Sequence, residues 1–161
     1  MNSPLEEVYM SEIKLVPVKP TDDHLALLIH KLDAYLNERY PADEVFTVDF
    51  ESPKVKEITF VLAYWGDVPV GCGAISPLHE GATELKRFYV EPEYRRNGIA
   101  LQILNHLESL ARESRKVTML LETGDQQPEA ISFYKKHGFI EIEPYGEYVG
   151  CASSVCFGKQ L

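Results

Sequence analysis

Residues 85–100, Leu-Lys-Arg-Phe-Tyr-Val-Glu-Pro-Glu-Tyr-Arg-Arg-Asn-Gly-Ile-Ala, set a basic loop between an apolar strand and an amphipathic helix. The first turn of a helix carries backbone N–H groups with no partner inside the helix, and the helix dipole adds partial positive charge there. Gly98 leaves room for a ligand to approach that backbone, and Arg95 and Arg96 stand beside it with full charges. Cations at a helix N-terminus oppose the dipole unless an anion offsets both. The combination is a receptor for a phosphorylated ligand.

The elements that must hold this loop follow from the pattern of apolar residues. Residues 12–19 read as a first strand. Thr21, Asp22 and Asp23 open a helix whose apolar face is Leu25, Leu28, Ile29, Leu32, Tyr35 and Leu36, ending near Tyr40-Pro41. Residues 41–56 are irregular and acidic. Residues 58–64 and 68–75 are strand-like runs around Trp65-Gly66-Asp67, which predicts an antiparallel hairpin. Residues 84–90 form the next strand. Ala100, Ile103, Leu104, Leu107, Leu110 and Ala111 then trace a helix face ending near Ser114, and residues 117–121 fit a buried parallel strand after that crossover. Pro128 starts a further helix and Gly138 stops it. Residues 139–142 and 153–157 supply the last strands. The reading is a single α/β domain over residues 1–161, with no internal repeat or linker.

Composition bounds the function. The net charge of −9 argues against general nucleic-acid binding, which needs a broad basic face, and is compatible with a cationic small molecule. No apolar run approaches the roughly 20 residues that span a bilayer, and residues 1–11 lack the pattern of a secretion signal, so no membrane partner and a cytoplasmic location are expected. Cys72, Cys151 and Cys156 form no C-x-x-C pair and read as free thiols. The five histidines are scattered, so no metal site is expected.

The segment Val90-x-Pro92-x-Tyr94-Arg95-Arg96-Asn97-Gly98-Ile99-Ala100 resembles the acetyl-CoA-binding motif of the GCN5-related N-acetyltransferases (GNAT), Gln/Arg-x-x-Gly-x-Gly/Ala, with Arg95, Gly98 and Ala100 in its fixed places. The stretch from Gln127 to Phe139 is similar to the family's later motif, Asn-x-x-Ala-x-x-Phe-Tyr-x-x-x-Gly-Phe. Gln127 stands where Asn is more usual. The resemblance covers nearly the whole chain. It implies a mixed central sheet of six to seven strands with helices on both faces, and parallel strands that splay at the cofactor site.

The resemblance also implies roles. Acetyl-CoA is the co-substrate. Its pyrophosphate sits on the loop from Arg95 to Ala100, and its pantetheine arm runs along the strand at Phe88, Tyr89 and Val90, where a bulge is one way to open the sheet. Gln127 borders that site. Tyr134 gives a proton to the departing thiolate, for which a phenol is suited. Glu84 accepts the amine proton, with Lys86 on its strand face lowering its basicity. Glu122 is a second candidate, and a water chain a third. Tyr145 and its neighbours, residues 144–148, border the acceptor pocket or simply connect two strands.

The expected function is acetyl transfer from acetyl-CoA to a primary amine of a small molecule by direct attack in a ternary complex. No cysteine has a recognisable base partner to form an acetyl-enzyme. The alternative is an inactive acyl-CoA-binding sensor. Another type of nucleotide site is disfavoured, because the loop lacks both Gly-x-x-x-x-Gly-Lys-Ser/Thr and Gly-x-Gly-x-x-Gly. The sequence leaves monomer and homodimer open.

Overall fold

The computed structural model describes residues 13–79 and 81–161. The expected start of the first strand at Glu12, and the reading of residues 1–11 as free of a secretion signal, lie outside them. The elements run β1 (Ile13–Val18), α1 (Asp23–Asn37), β2 (Thr59–Trp65), β3 (Val68–Pro77), β4 (Ala82–Val90), α2 (Ile99–Glu113), β5 (Thr118–Gly124), α3 (Pro128–Lys136), β6 (Ile140–Ile142) and β7 (Ser154–Gln160). The irregular stretch after α1 contains two short 3-10 turns, Ala42–Glu44 and Pro53–Glu57. Among the described residues the strands form one seven-stranded mixed sheet in the order β1-β2-β3-β4-β5-β7-β6.

Each helix exists because the sheet gives its apolar stripe somewhere to go. Asp22 caps α1, accepting from the Leu25 N–H at 3.0 Å, and the helix buries Leu25, Leu28, Ile29 and Leu32 against Phe60, Leu62, Cys72 and Ala74. On the opposite face α2 buries Ile99, Ile103, Leu104, Leu107 and Ala111 against Val61, Val70, Leu85 and Leu121. Fully buried aliphatic side chains of this kind stabilise by about 1.5–3 kcal/mol each. Truncating Leu107, fully buried on α2, would leave a cavity in that contact.

Two features of the sheet build the site. β4 and β5 are parallel, and their pairing runs from Ala82–Thr118 to Leu85–Leu121 and then stops. Beyond that point the strands part, as the resemblance implies. Across β4, the register with β3 shifts between Cys72–Tyr89 and Ala74–Lys86, so Gly73 stands opposite both Arg87 and Phe88. This is a β-bulge, and Arg87 occupies the left-handed region at φ 51°. The extra residue resets the alternation: Leu85, Phe88 and Val90 pack with the α2 cluster, while Arg87 turns to Asp33 on α1.

Candidate active site

The loop after β4 takes its shape from its own short contacts. Pro92–Tyr94 form a 3-10 turn, and the Asn97 amide nitrogen donates to the carbonyls of Tyr94 at 3.0 Å and Arg95 at 3.3 Å. Arg96 and Gly98 are both left-handed, at φ 67° and 75°. Gly98 is the N-cap of α2, makes no side-chain capping bond, and has open space where a Cβ would stand. No acidic residue lies in the first turn. A 15-residue helix therefore opens toward a cleft with uncapped N–H groups and two arginines, which fits a pyrophosphate.

A groove of about 290 Å³ runs from this loop to the split between the strands. Arg95, Arg96 and Ala100 line one end, and Phe88, Tyr89 and Val90 line its wall, with Gln127 and Tyr134 farther in. Arg95 is held in place: its Nε donates to the Val90 carbonyl at 3.0 Å, and its guanidinium lies about 6 Å from the Tyr35 and Tyr89 rings. Asn97, Gly98 and Ile99 do not line the groove. Asn97 shapes the loop, and the Ile99 side chain is buried in the core, leaving only backbone for a ligand.

A second cavity of about 100 Å³ lies on the other side of the split. Its walls include Glu44 and Phe46 from the stretch after α1, Arg87 from the bulge, Glu122 from β5 and Tyr148 from the β6–β7 connection. Leu32, Phe88, Gln127 and Tyr134 line both spaces, so the two meet at these residues.

Tyr134 is buried at this junction, packed among the rings of Phe88, Phe133, Phe139 and Phe157 at centroid distances of 5.6–6.2 Å. Burial and then the nearby Glu122 carboxylate raise its phenol above the ordinary value of 10.0, so it stays protonated. Gln127 turns inward. Its Oε1 accepts from the Gly124 N–H at 3.2 Å and the Tyr40 hydroxyl at 3.3 Å, which closes the β5–α3 turn. The Tyr40 oxygen in turn accepts from the Gln126 N–H at 3.0 Å. Gly124 is required here, since a Cβ would stand 1.9 Å from that oxygen.

The two candidate bases differ in surroundings. Glu122 follows Leu121, the last β5 residue paired with β4, and lines the second cavity, with the Ser154 hydroxyl donating to it at 2.6 Å. Burial lifts its carboxyl from 4.5 to about 7, the Ser154 bond pulls the other way, and the anions Glu84 and Glu147 add to the rise. Glu84 lines neither cavity. It is 3 % exposed and accepts from Tyr145 at 2.5 Å and from Lys86 at 3.2 Å. The pairing with Lys86 is the one its strand position predicts.

Arg87, Tyr40 and Phe46 line the second cavity, and the sequence pattern does not single them out. Arg87 carries no local signal, because its bulge depends on β3. The three cysteines are free. Burial pushes the Cys72 thiol up to about 12 and also raises Cys156, which favours the neutral thiol at both. Among the described residues no cluster of metal-ligating side chains occurs, and no helix is long and apolar enough to cross a membrane.

The split parallel pair and the uncapped helix N-terminus after β4 are the arrangement the sequence resemblance implies. The sequence model of the Acetyltransferase (GNAT) family matches residues 25–139, and the chain belongs to that family. It is 35% identical over 140 residues to the IAA acetyltransferase of Azospirillum brasilense, covering 86% of this chain and 92% of that protein. A protein of Klebsiella pneumoniae assigned as an acyl-CoA N-acyltransferase shares its fold with a TM-score of 0.80 and 29% identity, over 92% of this chain and 97% of the other. The PaiA N-acetyltransferase of Thermoplasma acidophilum, solved with coenzyme A, superposes with a TM-score of 0.70 at 19% identity, over 92% and 99% of the two chains. The family and these relatives make the chain an acetyltransferase.

Proposed function

We propose that this enzyme moves the acetyl group of acetyl-CoA to a primary amine of a small molecule by direct attack in a ternary complex. The observation that carries the reading is the meeting of the groove and the second cavity at Phe88, Gln127 and Tyr134. A thioester reaching in from the Arg95–Ala100 loop and an amine entering past Glu122 would face each other there.

The chain's own residues then have distinct tasks. The α2 N-terminus, Arg95 and Arg96 hold the pyrophosphate, and the unpaired stretch of β4 offers backbone groups to an amide-bearing arm. Glu122 takes the proton of the entering ammonium, since a carboxyl near 7 is half ionised at neutral pH and basic enough for the work. The amine nitrogen bonds to the acetyl carbon, the carbon–sulfur bond breaks, and Tyr134 gives its proton to the sulfur. The second proton leaving the nitrogen restores the phenol through water. Anions around Glu122 outnumber cations in its surroundings, which favours an acceptor that arrives positively charged.

The test is a thiol-release screen with acetyl-CoA against amino acids, polyamines, amino sugars and simple alkylamines, with mass detection of the product. Tyr134→Phe should keep acetyl-CoA binding within a few-fold and lower kcat on the order of tenfold to a thousandfold. Full kcat in Tyr134→Phe, measured where chemistry limits the rate, would remove the phenol from the mechanism. Acetyl-CoA binding with no amine acetylated would sink the proposal.

A further inference from the structure

Glu84 is buried beside the site yet has no place on the cavity wall. Its partners explain why. Tyr145 and Tyr148 come from the connection between β6 and β7, where residues Gly146–Tyr148 make a 3-10 turn, and their rings meet edge to face at 5.2 Å. The Tyr145 hydroxyl donates to the Glu84 carboxylate, and Lys86 supplies the charge that offsets it. Tyr148 then stands edge-on to Phe46 at 4.8 Å. The Phe46 carbonyl accepts from Arg87 Nη2 at 3.0 Å, while Nη1 of the same side chain pairs with Asp33 on α1.

A closed path of contacts thus leaves β4 at Glu84, passes through Tyr145, Tyr148 and Phe46, and returns to β4 at Arg87. Phe46 and Tyr148 both line the acceptor cavity; Phe46 lies in an irregular segment and Tyr148 ends a three-residue 3-10 turn. Loop residues hold a fixed position only when something over-determines it. Here two buried charges on one strand do so, and hydrogen bonds to a charge are the stronger kind.

We infer that Glu84 is a positioning residue: its carboxylate fixes the Tyr145–Tyr148 turn as one wall of the acceptor cavity and thereby sets acceptor affinity. This rests on the acetyl-transfer reading above, with Glu122 as the proton acceptor. Glu84 also acts on Glu122 through charge. The groups facing Glu122 are Ser154 and Cys156 on β7, Glu84 and Arg87 on β4, Glu147 and Tyr148 on the β6–β7 connection, Tyr134 on α3 and Tyr40 after α1. Lys86 and Glu44 line the same cavity. Removing the Glu84 charge leaves Arg87 less opposed, so Glu122 must titrate at lower pH.

Two variants test this in the full-length enzyme. In Glu84→Gln, carboxyl-carbon NMR should show the Glu122 midpoint moving down, and the acidic limb of kcat/KM should persist and move with it. In Tyr145→Phe/Tyr148→Phe, which keeps every charge, that midpoint should stay. Acceptor KM should rise on the order of tenfold with kcat little changed, and amide exchange over residues 143–150 should quicken. The acceptors are the two best amines of the screen, chosen to differ in basicity. Loss of the acidic limb in Glu84→Gln, or a tyrosine variant with parental KM and exchange, would overturn the inference. The titration and the exchange need no acceptor. A screen without turnover therefore sinks the acetyl-transfer reading while these two still decide the anchor, and the tyrosine variant decides it alone if Glu84→Gln does not fold.

Discussion

Glu122→Gln should make the protein more stable and the enzyme slower, and both effects should depend on pH. The Glu122 carboxyl rises from 4.5 to about 7 on folding, chiefly through burial. The folded protein therefore binds this proton more tightly than the unfolded chain does. Below 4.5 both states are protonated and the group contributes no difference. As pH climbs from 4.5 to 7 the unfolded chain releases the proton first, and stability is lost across that window. At about 1.4 kcal/mol per pH unit the full loss is about 3 kcal/mol, an upper figure because the side chain is only partly buried. Glutamine keeps an oxygen for the Ser154 hydroxyl and has nothing to ionise. Urea unfolding of both proteins between about pH 4 and about pH 9 should give curves that coincide in acid and separate by up to about 3 kcal/mol above neutrality, with the variant the more stable. Over the same range the acidic limb of kcat/KM should be present in the parent and absent in the variant. Parallel stability curves would refute the raised carboxyl, and a surviving limb in Glu122→Gln would refute its role as base.

Further outcomes follow from the loop and the β5–α3 turn. Gly98→Glu should weaken acetyl-CoA binding at least tenfold by calorimetry, because it brings a carboxylate to a phosphate site and strains a backbone at φ 75°. Gly98→Asn, which tolerates that conformation, should bind within a few-fold of the parent. Gly124→Ala should cost about 2–4 kcal/mol in thermal or urea unfolding, since Tyr40 must retreat by more than an ångström and give up its bonds to Gln126 and Gln127. In a Tyr40→Ala background the same substitution should cost far less, and equal costs in both backgrounds would refute the clash.

The parts of the molecule legible in the sequence are those whose causes are local. The helix faces of α1 and α2, the turn at Gly66 and the loop from Arg95 to Ala100 each follow from residues a few positions apart, and the structure carries them as read. Strand ends were less legible. β4 begins at Ala82, β5 runs to Gly124 and β7 to Gln160, each longer than the apolar run that marks it, because pairing with a neighbour extends a strand past its own pattern. The bulge lies at Arg87–Phe88, just before the stretch where the resemblance puts it, and its position is set by the register with β3.

What the sequence by itself determined is the α/β alternation, the phosphate-ready helix start and the place of Tyr134 in a family motif. All three are written in short stretches of chain. The contrast in surroundings between Glu84 and Glu122 is a different matter, because both stand on strands beside the same split and have the same chemistry. Only the tertiary structure tells them apart. Tyr145 reaches Glu84 across 61 positions of sequence, Ser154 reaches Glu122 across 32, and Arg87 finds Asp33 across 54. A carboxylate is a base or an anchor according to which donors face it and how much water it keeps, and those are properties of the packed chain.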